Sequence, residues 1–144
     1  TTKEGVENYT TSTGLKGRFQ ILKKKPIVIA DVSHNKAGIA LLLELIKQFE
    51  YKHLHVVFGT VKDKPVRDIL RVLPLDATYY WTQSGVPRSF SAENLEQSAK
   101  TLNLKGKAYE NVNEAKKAAL LSAALDDLVL ITGSTFVVAE IEGL

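Results

Sequence analysis

Residues 27–49 read IVIADVSHNKAGIALLLELIKQF, and this stretch decides the fold. Ile27 to Ala30 form a short unbroken apolar run, the pattern of a strand covered on both faces by helices. After the polar step Asp31-Val32-Ser33-His34-Asn35, apolar residues return at helical spacing as Ile39, Leu42, Leu43, Ile46 and Phe49. Glu44, Lys47 and Gln48 then face outward, as an amphipathic helix requires. The same unit recurs downstream. Leu54 to Phe58 is a second apolar run, followed by Val66, Ile69, Leu70 and Leu73 at helical spacing. Pro65 fits the first turn of that helix, where its missing N–H costs nothing. Ala77 to Thr82 reads as a third strand, and Ser91 as the cap of a helix over residues 93–102. A short strand at 107–109, an Ala- and Lys-rich helix at 112–125 and a buried strand at 128–132 complete the series. Phe136 to Ala139 can open a terminal helix. Upstream, Phe19 and Ile21 alternate with polar partners as a strand, and Lys24-Lys25-Pro26 turns the chain back.

Strands alternating with helices predict an α/β fold. It should be a three-layer, Rossmann-like sandwich, with a mainly parallel sheet, an antiparallel N-terminal strand and helices on both faces joined by right-handed crossovers. Residues 1–16 are polar and Thr/Gly-rich and read as a linker or frayed arm; residues 17–144 form the domain. The length of 144 residues suits one such domain. Hydrophobic residues at 44% and charged residues at 24% argue against disorder, and no apolar run reaches the ~20 residues of a membrane span. The chain lacks cysteine, which excludes a disulfide scaffold, a thiol nucleophile and a Cys-based zinc site. It also lacks methionine and begins at Thr1, so it is expected to be part of a longer polypeptide. With no cysteine and no visible signal peptide, the expected compartment is the cytoplasm.

A net charge of +3 is too mild to imply nucleic acid. The densest basic stretch, Lys16, Arg18 and Lys23 to Lys25, reads as a solvated hairpin edge that discourages strand-to-strand association.

In parallel α/β sheets, ligands bind beyond the carboxyl ends of the strands. Four segments lie there: Asp31 to Asn35, Gly59 to Lys64, Thr82 to Arg88 and Thr132 to Thr135. Asp31 can accept hydrogen bonds from ribose hydroxyls or help position a metal-bound phosphate, and His34 can bind a carboxylate or carry a proton near neutral pH. The plainer alternative is that Asp31 and Asn35 satisfy the N–H groups of a helix start. Ser134, after Gly133, offers a hydroxyl and a helix N-terminus to an anion, or acts as a simple cap. Arg18 suits phosphate because its planar fork makes two parallel hydrogen bonds. Asp63 and Lys64 either border a ligand or pair with each other in solvent. His53 and His55 share a face of one strand without a third ligand, so a solvent or sheet-edge role outweighs metal binding and no metal site is expected. Tyr79, Tyr80 and Trp81 read as core. No GxxxxGK[ST] loop, no GxGxxG after a strand and no nucleophile elbow occurs.

Five motifs in order, Gly17-Arg18-Phe19, DVSHN at 31–35, VFGTVKDK at 57–64, TQSGVPRS at 82–89 and ITGSTF at 131–136, resemble the C-terminal domain of folylpolyglutamate synthase/dihydrofolate synthase, a Mur ligase relative. The resemblance runs from Gly17 to the end. It implies that Arg18 and Asp31 contact ATP, and that His34 and Ser134 handle the incoming L-glutamate, with His34 the candidate catalytic residue. It also implies an N-terminal P-loop domain in the same polypeptide, which would hold the ATP phosphates and Mg2+. ATP then phosphorylates a carboxylate of folate or dihydropteroate, and the glutamate amine attacks the acyl phosphate to give an amide, with cations neutralising the transferred group. This domain would be inactive alone, with no nucleic-acid or membrane partner. Three departures stand out: Lys36 where proline is usual, Val32-Ser33 where Gly-Ala is common, and Pro65 where an acidic residue often follows Asp-Lys. Mur-type peptidoglycan ligases share the fold and reaction logic and are the close competitor. A non-catalytic α/β domain that binds an anion or a partner is the alternative outside the enzymes.

Overall fold

The computed structural model describes residues 19–142. Arg18 and the expected linker at 1–16 lie outside the described residues. The elements in chain order are β1 (Gln20–Lys24), β2 (Ile27–Ala30), α1 (Lys36–Ile46), β3 (Leu54–Phe58), α2 (Val66–Leu70) and β4 (Thr78–Trp81), then α3 (Ala92–Thr101), β5 (Gly106–Ala108), α4 (Val112–Ser122), β6 (Leu128–Thr132) and α5 (Thr135–Ala139). The strands form one six-stranded sheet in the order β1-β2-β6-β3-β4-β5. Only the β1–β2 hairpin is antiparallel; every other pair is parallel, as the alternation of elements requires.

The two faces follow from strand alternation. Val56, Phe58, Tyr79, Trp81 and Leu130 pack with Ile39, Leu42 and Ile46 of α1, Ile69 and Leu70 of α2, and Leu95 of α3. Val57, Val129 and Ile131 pack instead with Val112, Ala115 and Ala119 of α4 and Val137 of α5. The chain steps one way across the sheet from β2 to β5 with its helices on the first face. It then returns through α4 on the second face to place β6 between β2 and β3. Reversing direction and face together keeps the crossovers of one hand. This return also sets Thr132 beside Asp31, which positions the site. Among the described residues no helix is long and apolar enough to cross a membrane.

Three local expectations are corrected. Pro65 is the residue before α2 rather than in its first turn, with φ −76° and ψ 82°, and Leu73 is buried beyond the end of that short helix. α4 stops at Ser122 rather than Leu125. Its end is drawn out by Asp127, whose Oδ2 accepts the Ala124 N–H at 2.9 Å. His55 has neither a solvent nor an edge role, because β3 is central, while His53 precedes β3 and is half-buried. His55 is 4% exposed, with Nε2 2.9 Å from Asp127 Oδ2 and Nδ1 2.9 Å from the Tyr80 hydroxyl. His53 Nε2 lies 2.8 Å from Thr78 Oγ1. An ionised carboxylate only accepts, so in the neutral ring the proton sits on His55 Nε2 and Tyr80 donates to Nδ1.

Candidate active site

The carboxyl ends of β2, β6, β3 and β4 carry four loops that hydrogen bonds join into one rim. Gly133 N–H donates to Ser33 O at 3.1 Å, tying the β6 loop to the β2 loop, and Gly59 N–H donates to Thr132 O at 3.3 Å on the β3 side. Thr132, fully buried, donates its hydroxyl to Asp31 O at 2.8 Å, with Ser33 O at 3.3 Å. Farther along, Phe90 N–H donates to Thr60 O at 2.9 Å and Lys62 N–H to Arg88 O at 2.8 Å, beside a Val61–Ser89 bridge. The Arg88 guanidinium reaches Asp63 Oδ2 at 2.8 Å, so Asp63 pairs with Arg88 rather than with Lys64. A hydrogen bond from its own backbone, with the Arg88 bond and charge, holds the Asp63 carboxyl below the usual carboxylate range. Glu140 Oε2 accepts the Gly85 N–H at 2.6 Å and fastens the β4 loop to the end of α5.

Asp31 does not cap α1. Its Oδ2 accepts the Phe19 N–H at 2.7 Å, and its Oδ1 accepts Ser33 N–H at 2.8 Å and the Ser33 hydroxyl at 2.5 Å. The cap is Asn35, whose Oδ1 accepts Gly38 N–H at 2.8 Å. Asn35→Ala is expected to cost about 1 kcal/mol in urea unfolding, because it orphans that amide.

His34 is exposed, and its Nδ1 lies 3.3 Å from Val32 O. A carbonyl only accepts, so Nδ1 carries the proton and the neutral ring turns the Nε2 lone pair to solvent. This favours proton acceptance over donation to a carboxylate. Ser134 is 3% exposed and caps α5, accepting Val137 N–H at 3.1 Å. Its own hydroxyl proton has no acceptor among the described residues, so it remains available to an anion.

The structure thus brings Asp31, Ser33 and His34 onto one cleft of about 180 Å³, walled by Phe19, Leu41 and Leu45. Ser134 lies just behind, linked through Gly133 N–H to Ser33 O. A second cavity of about 620 Å³ lies between the β3 and β4 loops, bordered by Lys62, Ser84, Ser89 and Asn94. Among the described residues no group of three or more His, Asp or Glu side chains is placed to hold a metal ion. Thr132 stands in a candidate loop but carries no role in the sequence, and Glu140 stands outside every candidate loop. Thr132 left one signal, a hydroxyl closing an otherwise apolar strand; Glu140 left none, because its partner is 55 residues away.

Comparisons with known proteins agree with the motif series. Residues 17–135 match the model of the family described as Mur ligase, glutamate ligase domain. A probable bifunctional folylpolyglutamate synthase/dihydropteroate synthase of Halobacterium salinarum is 31% identical, over 94% of this chain and 17% of the relative. The dihydrofolate synthase/folylpolyglutamate synthase of Escherichia coli is 31% identical, over 96% of this chain and 32% of the relative. The solved structure of E. coli FolC in complex with DHPP and ADP superposes with a TM-score of 0.78 at 32% identity, covering 87% of this chain and 30% of that one. The chain therefore spans less than a third of the length of these relatives. With the whole parallel sheet and nearly all of the rim and the ordered motifs in the matched region, this chain belongs to the Mur ligase glutamate ligase domain family.

Proposed function

We propose that this chain is the C-terminal domain of an ATP-dependent folate polyglutamate ligase and forms one wall of a site shared with an N-terminal phosphate-binding domain. The observation that carries the reading is the rim itself: hydrogen bonds between the β2, β6 and β3 loops hold the buried Asp31 and Ser134 close behind the exposed His34. Solved relatives bound to ADP, or to AMPPNP, Mn and L-glutamate, support the ligand classes. ATP supplies the phosphoryl group that activates a folate carboxylate. The His34 Nε2 lone pair takes the proton that a glutamate ammonium must lose before its nitrogen can attack. The Ser134 hydroxyl donates to a glutamate carboxylate and orients it. Arg18 offers a cation to the transferred phosphoryl group. The family resemblance assigns the Mg2+ ligands to the N-terminal phosphate-binding domain, where the ATP phosphates sit. Such a ligase works in the cytoplasm.

The test is glutamate addition to a folate, coupled to ADP release, in the whole polypeptide that contains this chain. The chain by itself should show no turnover. His34→Ala should lower kcat/KM for glutamate by about 100-fold, with KM for ATP within about twofold of wild type. A whole polypeptide without glutamate-dependent ADP release overturns the reading. A fully active His34→Ala variant removes His34 from it.

A further inference from the structure

We infer that the cavity between the β3 and β4 loops is a subsite for a carboxylate on the glutamyl tail that the folate acceptor already carries, with Lys62 as its cation; the inference rests on the ligase reading above. The cavity measures about 620 Å³, room for a glutamyl residue. Lys62 is the only charged side chain among the described residues that line it, and no carboxylate among the described residues pairs with it. The two carboxylates tied to these loops are spent, Asp63 on Arg88 at 2.8 Å and Glu140 on the Gly85 N–H at 2.6 Å.

The neutral lining presents donors. Gln83 Oε1 accepts the Ala92 N–H at 2.8 Å, so its side-chain N–H groups are left over. Ser91 Oγ accepts the Asn94 N–H at 3.2 Å and keeps its own proton, and the exposed Asn94 amide adds further N–H groups. Ser84 and Ser89 are bonded to each other, with Ser89 Oγ also donating to Ser84 O at 2.9 Å, which fixes the wall. A cation among neutral donors suits a carboxylate, which only accepts.

Spacing across the sheet selects the tail over the incoming amino acid. β2, β6, β3 and β4 are neighbours in that order, and strands lie about 4.8 Å apart. The gap between β3 and β4 is therefore about 12 Å from the β2 loop that carries His34. From amine to side-chain carboxylate a glutamate spans about 5 Å, too short for one molecule to meet both places. Glutamyl units joined through the side-chain carboxylate add about 6 Å each, so two of them cover the distance. With the reacting carboxylate near His34, an α-carboxylate farther back along the tail reaches Lys62.

The experiment measures kcat/KM with folate monoglutamate and folate triglutamate as acceptors of the whole polypeptide containing this chain, in wild type, Lys62→Ala and Lys62→Arg. Wild type should favour the triglutamate. Lys62→Ala should lower the triglutamate-to-monoglutamate ratio by about tenfold, the scale of one charge-assisted hydrogen bond. Lys62→Arg keeps the charge and should keep the ratio. A ratio taken within each protein cancels any loss of folded enzyme. An unchanged ratio in Lys62→Ala, or a wild type indifferent to tail length, overturns the subsite and leaves the ligase reading intact. A rise of about tenfold in the Lys62→Ala KM for free L-glutamate with both acceptors also overturns it and hands the cavity to the incoming amino acid. Absence of ATP-dependent ligation in wild type removes both.

Discussion

Gly133→Ala is expected to destabilise the domain by about 3 kcal/mol or more and to abolish ligation by the polypeptide that carries it. Gly133 follows β6 with φ +115°, a region that L side chains rarely adopt. The alternative of relaxing φ is blocked, because a Cβ at this position would fall well inside contact distance of the Gly59 carbonyl oxygen and 3.0 Å from its carbon. Gly59 cannot yield easily either: its own Cβ position is 2.8 Å from Thr82 O and 2.9 Å from Val137 Cγ2. The two glycines let the ends of β6, β3 and β4 close to backbone contact. Forcing them apart strains Gly133 N–H to Ser33 O and Gly59 N–H to Thr132 O, the bonds that join the β2, β6 and β3 loops. Urea unfolding of the variant measures the first effect, and the coupled ADP assay the second. A Gly133→Ala protein with wild-type stability shows that the rim accommodates the methyl group and defeats this account.

The second large effect lies at the opposite end of the sheet. Asp127→Ala is expected to cost about 3 kcal/mol, because it leaves His55 buried without its partner. Burial alone pushes the Asp127 carboxyl up, but hydrogen bonds from Ala124 N–H and His55, with the His55 charge, outweigh it and hold the carboxyl below its ordinary range. A folded-state value below the unfolded one contributes stability above about pH 4, and that contribution disappears as pH falls through the folded-state value. Wild-type stability should therefore drop on acidification from about pH 5 toward pH 2, and the drop should be shallower in Asp127→Ala. Urea midpoints across that range measure both. Equal acid slopes in the two proteins sink the pH account; equal stability near pH 7 sinks the pairing account.

Both effects bear on how far the chain explains itself. Leu54 to Phe58 and Leu128 to Thr132 are buried at every position, and such largely apolar runs, each with one polar residue, announce central parallel strands before any contact is known. Asn35 and Ser91 announce their helix starts equally locally, since each cap reaches an amide three residues on. The motif loops stood out because polar residues interrupt apolar runs at strand ends.

The sequence by itself therefore determined the α/β class, the strands and helices that build it, and the loops where ligands gather. Those features depend on local periodicity and capping, which act over a few residues. Only the tertiary structure decided that β6 lies between β2 and β3, because apolar periodicity shows that a strand is covered and not which strand lies beside it. From that one placement follow the Thr132 clamp on Asp31, across 101 residues, and the His55–Asp127 pair, across 72. The packing likewise turned Asp31 inward to Phe19 and Ser33, leaving the serine hydroxyl at the cleft.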